Sequence, residues 1–299
     1  MSYAVELRPL VRHREWQGAV RFVADLARRF GPQDVVIFEQ VGPGDLHLLS
    51  LPLWAQHNVN VLELARYNPD PEKLRHLVDA WRERYRNIYF VHTYRTDVCG
   101  LFLQRVEDVR FGAFEWERAF VAPPRRAEWR SMDFRVSRVV PPQDMPVPPL
   151  PEIDIGGSDD LQVSGFYIKE GGAGLTYRWT GPCASLYFPG VRAGGHLVIR
   201  ASAGRRPVGD VPSMVRPGSL ARVPPAEVHV SLSGVELGTF VAGPDWSDHH
   251  LPLPSPLPAG APVLRFDVKA WRPMNVVPGS EDTRELGVMI DGARIDPVG

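Results

Sequence analysis

Between residues 152 and 299 the chain keeps one cadence: five to eight residues in which apolar and polar side chains alternate, then a glycine or a proline. In AEVHVSLSGVELGTF (226–240), Val228, Val230 and Leu232 alternate with His229, Ser231 and Ser233, and Ser233-Gly234 forms a turn of the kind that needs positive φ. Val235, Leu237 and Phe240 then begin a returning strand. A period of two turns one face to a core and the other to water, so this stretch is a half-buried β-hairpin. The same spacing continues through VLRFDVKAW (263–271) and RELGVMIDGARI (284–295). It predicts an antiparallel β-sandwich over 152–299 rather than a parallel α/β sheet.

The first half reads differently. Trp16, Ala19, Val20, Val23, Leu26, Ala27 and Phe30 fall at helical spacing over 14–30, and Gly31-Pro32 stops the helix. Val35–Phe38 is a continuous apolar run, followed by a helix expected over 45–56, a strand over 59–64, a helix opened by Pro71 and a strand at 88–91. Strand, helix, strand, helix, strand predicts a parallel core within a small Rossmann-like three-layer domain. Alternation returns at Val109, Phe111 and Ala113 and at Phe134 and Val136, two strands that extend or cap that sheet. PPQDMPVPPLP (141–151) cannot continue a helix or a ladder and reads as a linker. The expected division is therefore an α/β domain over 1–140, a linker over 141–151 and an all-β domain over 152–299.

With 299 residues, each domain is long enough to bury its own core. A formal net charge of -1, with the basic residues scattered, gives no footprint for nucleic acid. No stretch reaches the roughly 18 apolar residues of a membrane span, and MSYAVELRPLVRHREW has neither an apolar leader core nor a cleavage site. If Met1 is the true start, a cytoplasmic protein is expected. The two cysteines, Cys99 and Cys183, fall in different expected domains, so the reading is two buried free thiols and no disulfide.

Candidate chemistry is sparse. EQVGPGDLH (39–47), with Glu39, Gly42, Gly44, Asp45 and His47, stands between a strand and a helix, where α/β folds take phosphates or sugars. It matches neither phosphate-loop pattern, and a turn with an Asp45 N-cap accounts for it. Asp245, Asp248, His249 and His250 crowd into six residues, but adjacent side chains of an extended segment face opposite ways, against a zinc site. Glu170, Glu227, Glu236 and Asp267 are carboxylates on β elements without a glycosidase pattern. No nucleophile elbow and no HExxH motif occurs. Tyr167, Tyr177, Trp179, Trp246 and Trp271 are the candidates for stacking on sugar faces, with Trp246 expected to be exposed in its loop.

GFYIKE (165–170), YRWTGPCASLYFPG (177–190), HLVIRASAG (196–204), VHVSLSGVELGTF and RELGVMIDGARI together resemble the jelly-roll, carbohydrate-binding-like domain at the C-terminal end of bacterial polytopic membrane glycosyltransferases. These are the mannosyltransferase-like enzymes that use polyprenyl-phosphate sugars. The helix ahead of VVIFEQVGPGD, and LPLWAQHNVNVLEL after it, resemble the soluble α/β region that follows the last membrane helix in such proteins. The resemblance covers nearly the whole chain. It implies an extracytoplasmic, noncatalytic accessory region that binds glycan or lipid-linked sugar or serves a membrane glycosyltransferase subunit. The membrane helices, and the acidic loop residues that such enzymes use, are missing from this sequence. Modules of this kind often hold a structural calcium where the first and last strands meet, which makes Asp154, Asp160 and Asp291 candidate ligands, with Asp159 beside them; no other cofactor is implied. Two other readings stay open: a freestanding hydrolase or transferase acting on a sugar or sugar phosphate at the α/β domain, and a structural interaction domain.

Overall fold

A computed structural model describes residues 19–38, 53, 59–64, 71–92, 99–116, 127–172, 174–204, 209–210, 222–223, 225–277 and 279–296. The chain is mostly β and divides into two compact units, one of residues 1–94 with 105–139, the other of residues 95–104 with 140–299.

In the first unit, helix α1 (Ala19–Ala27) is followed by β1 (Asp34–Phe38), β2 (Asn60–Glu63), α2 (Pro71–Arg82) and β3 (Asn87–His92). Two long strands, β4 (Phe102–Trp116) and β5 (Ala127–Val140), complete a five-stranded sheet in the order β2-β1-β3-β5-β4. β1 pairs in parallel with β2 and β3, as the apolar runs imply, and β5 joins β3 antiparallel. Every residue of β1 is buried, as in a strand covered on both faces. The helical stripe Val23, Leu26, Ala27 and Phe30 packs with Val36, Phe38, Val91, Phe134 and Val136 in one core. The expected strands at 105–140 therefore extend the sheet on the β3 side. The helix expected over 45–56 falls outside the described residues except for Leu53, which is buried.

The second unit begins its main run with a short 3-10 turn at Pro142–Asp144 and the strand β6 (Glu152–Asp154). There follow β7 (Val163–Gly172), β8 (Leu175–Tyr187), β9 (His196–Ser202), and the small pair β10 (Gly209–Asp210) and β11 (Arg222–Val223). The hairpin β12 (Glu227–Leu232) and β13 (Val235–Val241) leads to β14 (Ser247–Pro252) and β15 (Val263–Val268). The short helix α3 (Pro273–Val276) and β16 (Met289–Asp296) close the series. Nine strands form one antiparallel ladder, β13-β12-β15-β8-β16-β9-β14, with β6 on β16 and β7 on β8. The ladder is nearly closed: the ring of Phe240 on β13 stacks on His249 of β14 at 4.0 Å, between the two end strands. Its interior is lined by Val228, Val230, Leu232, Leu264, Phe266, Ala184, Leu186, Ile199 and Ile290.

The hairpin turn has φ of 49° at Ser233 and 85° at Gly234, the left-handed pair of a two-residue turn whose twist matches its strands. The proline-rich run at 141–151 belongs to the second unit: Met145 is buried beside Tyr187, and the Pro151 carbonyl accepts the Ile295 amide at 2.9 Å. The expectation of two free thiols is overturned. Residues 95–104 are part of the second unit, and Cys99 is disulfide-bonded to Cys183 across a Cα–Cα distance of 5.6 Å. Counting by domain put the cysteines apart because sequence order does not reveal that the chain returns to the same unit.

Candidate functional site

The five aromatic candidates, spread over more than a hundred residues of sequence, converge in one cluster of the second unit. Tyr167 on β7, Trp179 on β8 and Trp271 are buried together with Val276, Leu286 and Met289; Tyr177 and Trp246 pack half-buried at the edge. Alternation on β8 explains part of this, since Tyr177 and Trp179 project to one face while Arg178 projects to the other. The rest depends on the segment after β15. Trp271 and Leu286 form an isolated antiparallel bridge, with amide-to-carbonyl distances of 2.9 and 2.8 Å, and Val276 between them in sequence joins the same cluster. The Tyr167 hydroxyl clamps this segment: it donates to the Glu285 carbonyl at 3.1 Å and accepts the Glu285 amide at 3.0 Å.

The edge of the cluster carries the chemistry. The Tyr177 and Trp246 rings lie 5.6 Å apart, tilted by 57°. Trp246 is thus half-buried against a second ring, where the sequence implied an exposed loop side chain. Glu170, paired across the strands with Tyr177, takes a hydrogen bond from the Arg284 guanidinium at 2.6 Å. Arg284 also binds both carboxylate oxygens of Asp282 and lies over the Tyr167 ring, 5.4 Å from its centroid. Burial raises the Tyr177 phenol above its usual range, and the charge and hydrogen bond of Glu170 add to it. Asp282's hydrogen bonds hold the Arg284 guanidinium more firmly protonated than usual, against the opposing effect of burial. The product is two half-buried rings in contact beside a row of carboxylate, guanidinium and carboxylate. Aromatic rings have the chemistry to stack on apolar faces, and carboxylates and guanidinium groups the chemistry to bond hydroxyl groups. The aromatics were visible in the sequence. Arg284 and Asp282 were not, because a charged stretch before the last strand reads as a solvated turn, and its partner Glu170 lies 114 residues away.

Beneath β8's other face, the Arg178 guanidinium is bound by both carboxylate oxygens of buried Asp159, at 2.7 and 2.9 Å, and donates to the Tyr167 carbonyl at 3.1 Å. Asp160 joins the same arginine and lies 3.4 Å from Lys169 Nζ. The candidate calcium set is therefore not assembled. Asp154 and Asp291 line a polar cleft of about 370 Å³ with Thr176, Arg200 and Arg294, whereas Asp160 belongs to Arg178. In the cleft Thr176 donates to Asp154 at 3.1 Å, and Arg200 pairs with Asp291 at 3.1 Å. Burial raises the Asp291 carboxyl above the usual carboxylate range, Arg200 opposes this, and Asp154 and Asp248 reinforce it. Among the described residues no three His, Cys, Asp or Glu side chains form a group fit for a metal.

The crowded Asp248, His249 and His250 diverge. Asp248 pairs with Arg294 at 2.8 Å, His249 stacks on Phe240 with Ser247 Oγ at 3.1 Å from its ring nitrogen, and His250 is exposed. Asp245 is exposed in the turn before them. Of the β-strand carboxylates, Glu170 serves Arg284, Asp267 pairs with Arg265 at 2.8 Å, Glu227 lines a shallow groove with His229 and Asp267, and Glu236 is exposed. The loop bearing Glu39, Gly42, Gly44, Asp45 and His47 lies outside the described residues. No described helix is long and apolar enough to cross a membrane.

Comparison with known proteins adds nothing to this geometry: no family model, no curated protein and no solved structure matches the chain.

Proposed function

We propose that the second unit is a noncatalytic carbohydrate-binding module whose site is the Tyr177–Trp246 edge with Glu170, Arg284 and Asp282. The observation that carries this reading is the contact between two half-buried rings, backed by a buried aromatic layer and bordered by an ordered ion-pair row. Rings fixed in this way offer stacking area without first losing side-chain freedom, and carboxylates with fixed orientation accept hydroxyl hydrogen bonds. The finer fold readings belong to the same proposal: a jelly-roll sandwich for the nearly closed ladder and a Rossmann-like layer for the parallel strands of the first unit. So does the role that the family resemblance implies, an extracytoplasmic accessory region that positions glycan or lipid-linked sugar for a membrane glycosyltransferase.

Titration of the full chain with neutral and charged oligosaccharides, followed by calorimetry and tryptophan fluorescence, tests the proposal. Trp246→Ala is expected to weaken binding about tenfold or more, the effect of removing a central aromatic contact, while circular dichroism stays that of the parent. Absence of binding across the panel, or equal affinity in the variant, would overturn it.

A further inference from the structure

We infer that Cys99 and Cys183 are an oxidative modification site, whose disulfide fastens residues 99–102 to the outer face of β8 and marks a chain that matures in an oxidising compartment. The inference is independent of the carbohydrate reading. From Cys183 to its end at Tyr187 β8 alternates cleanly: Ala184 and Leu186, with Phe188 just after the strand, enter the main core, while Cys183, Ser185 and Tyr187 face the other way. That outer face is covered by a piece of chain from far back in the sequence. Leu101 and Phe102 are each 2% exposed, and Phe102 meets the Tyr187 ring edge-on at 6.4 Å, in a small core with Val140 and Met145. Just before it, Cys99 turns through Gly100, whose φ is 81°, and its sulfur lies 3.5 Å from Ser185 Oγ as well as bonded to Cys183.

The second unit is thus built from two separated stretches, 95–104 and 140–299, and the disulfide cross-links them directly, in addition to the backbone that joins them through 105–139. These are the only two cysteines of the chain, 84 residues apart, so no alternative pairing competes within one molecule. Two apolar side chains are a small anchor for a segment whose other end leads away into the first unit. A bond that removes its freedom to detach adds the most where the closed loop is long. Forming it takes two protons and two electrons from the thiols as the S–S bond is made. The acceptor is a disulfide-bearing oxidoreductase, itself reduced to a dithiol, which oxidising compartments supply and the reducing cytosol opposes.

The test compares the full chain exported to an oxidising compartment with the same chain made in a reducing cytosol. Exported protein, denatured without reductant, is expected to resist thiol alkylation at both positions and to take two alkyl groups after reduction. Reduction under native conditions, or the Cys99→Ser/Cys183→Ser pair, is expected to speed proteolytic cutting within 95–104 by about tenfold or more, as loss of a long-loop crosslink implies. Because wild-type protein is itself reduced in one arm, a variant that fails to fold does not decide the matter. Free thiols in the exported protein would overturn the inference. So would a reduced chain as resistant to proteolysis as the oxidised one.

Discussion

At the scale of single residues, the second unit concentrates its polar risk in Arg178 and Asp159. Their side chains are 6% and 0% exposed, and a buried charge is tolerable only while its partner and its hydrogen bonds remain. Arg178 flanks both Tyr177 and Trp179 in sequence and holds the Tyr167 carbonyl, so the pair braces the strands that carry the aromatic edge. Asp159→Ala is expected to lower stability by about 3–5 kcal/mol, read by denaturant unfolding, because it strands a buried guanidinium. Replacing both residues with apolar ones is expected to cost less than that single change. His249 offers a test of pH. Burial against Phe240 holds its pKa below the usual histidine value; Asp248 opposes the shift and His250 adds to it. The unfolded chain then binds a proton at higher pH than the folded one. The stability due to neutral His249 is full above about pH 6.5 and is lost as pH falls below that value toward the folded pKa. Melting temperatures from pH 8 to 5 should fall more steeply for the parent than for His249→Gln; parallel curves would contradict this.

Elements of the fold inherit these local rules to different degrees. The β12–β13 hairpin follows from its sequence, because Ser233-Gly234 takes left-handed angles in a two-residue turn and Val228, Val230 and Leu232 are buried as their alternation requires. A Cβ on Gly234 would meet nothing within 4 Å, so Gly234→Ala isolates backbone strain from packing. A loss of about 1–2 kcal/mol is expected, the cost of placing an L side chain in the left-handed region, and unfolding curves give it directly. Gly287 presents the opposite case. Its φ is not left-handed, yet a Cβ would collide with Thr180 and Val268, so the residue is required by close packing beside the aromatic cluster. Nothing in LGV distinguishes that glycine from one in a turn; only the approach of β8 and β15 does.

For the molecule as a whole, two cores imply two unfolding events. Val23, Leu26, Val36 and Phe134 share one core, while Leu186, Val228, Phe266 and Ile290 share another. Calorimetry of the oxidised chain is expected to resolve two transitions, and Arg178→Met, which leaves Asp159 unpaired, should move only the one belonging to the second unit. A single transition shifted as a block would contradict this independence. Sequence alone determined what depends on neighbours a few residues apart: the strand period of two after residue 152, the parallel runs at 35–38 and 88–91, the hairpin turn, and the absence of a recognisable catalytic motif. It also singled out the five aromatics, since ring chemistry is written in residue type. Only the tertiary structure decided that those rings meet, that Arg284 stands between Glu170 and Asp282, that Asp160 serves Arg178 instead of joining Asp154 and Asp291, and that Cys99 reaches Cys183. Each of these is a contact between segments far apart in the chain. Such contacts are fixed by strand order and by where a segment returns, and local periodicity carries no record of either.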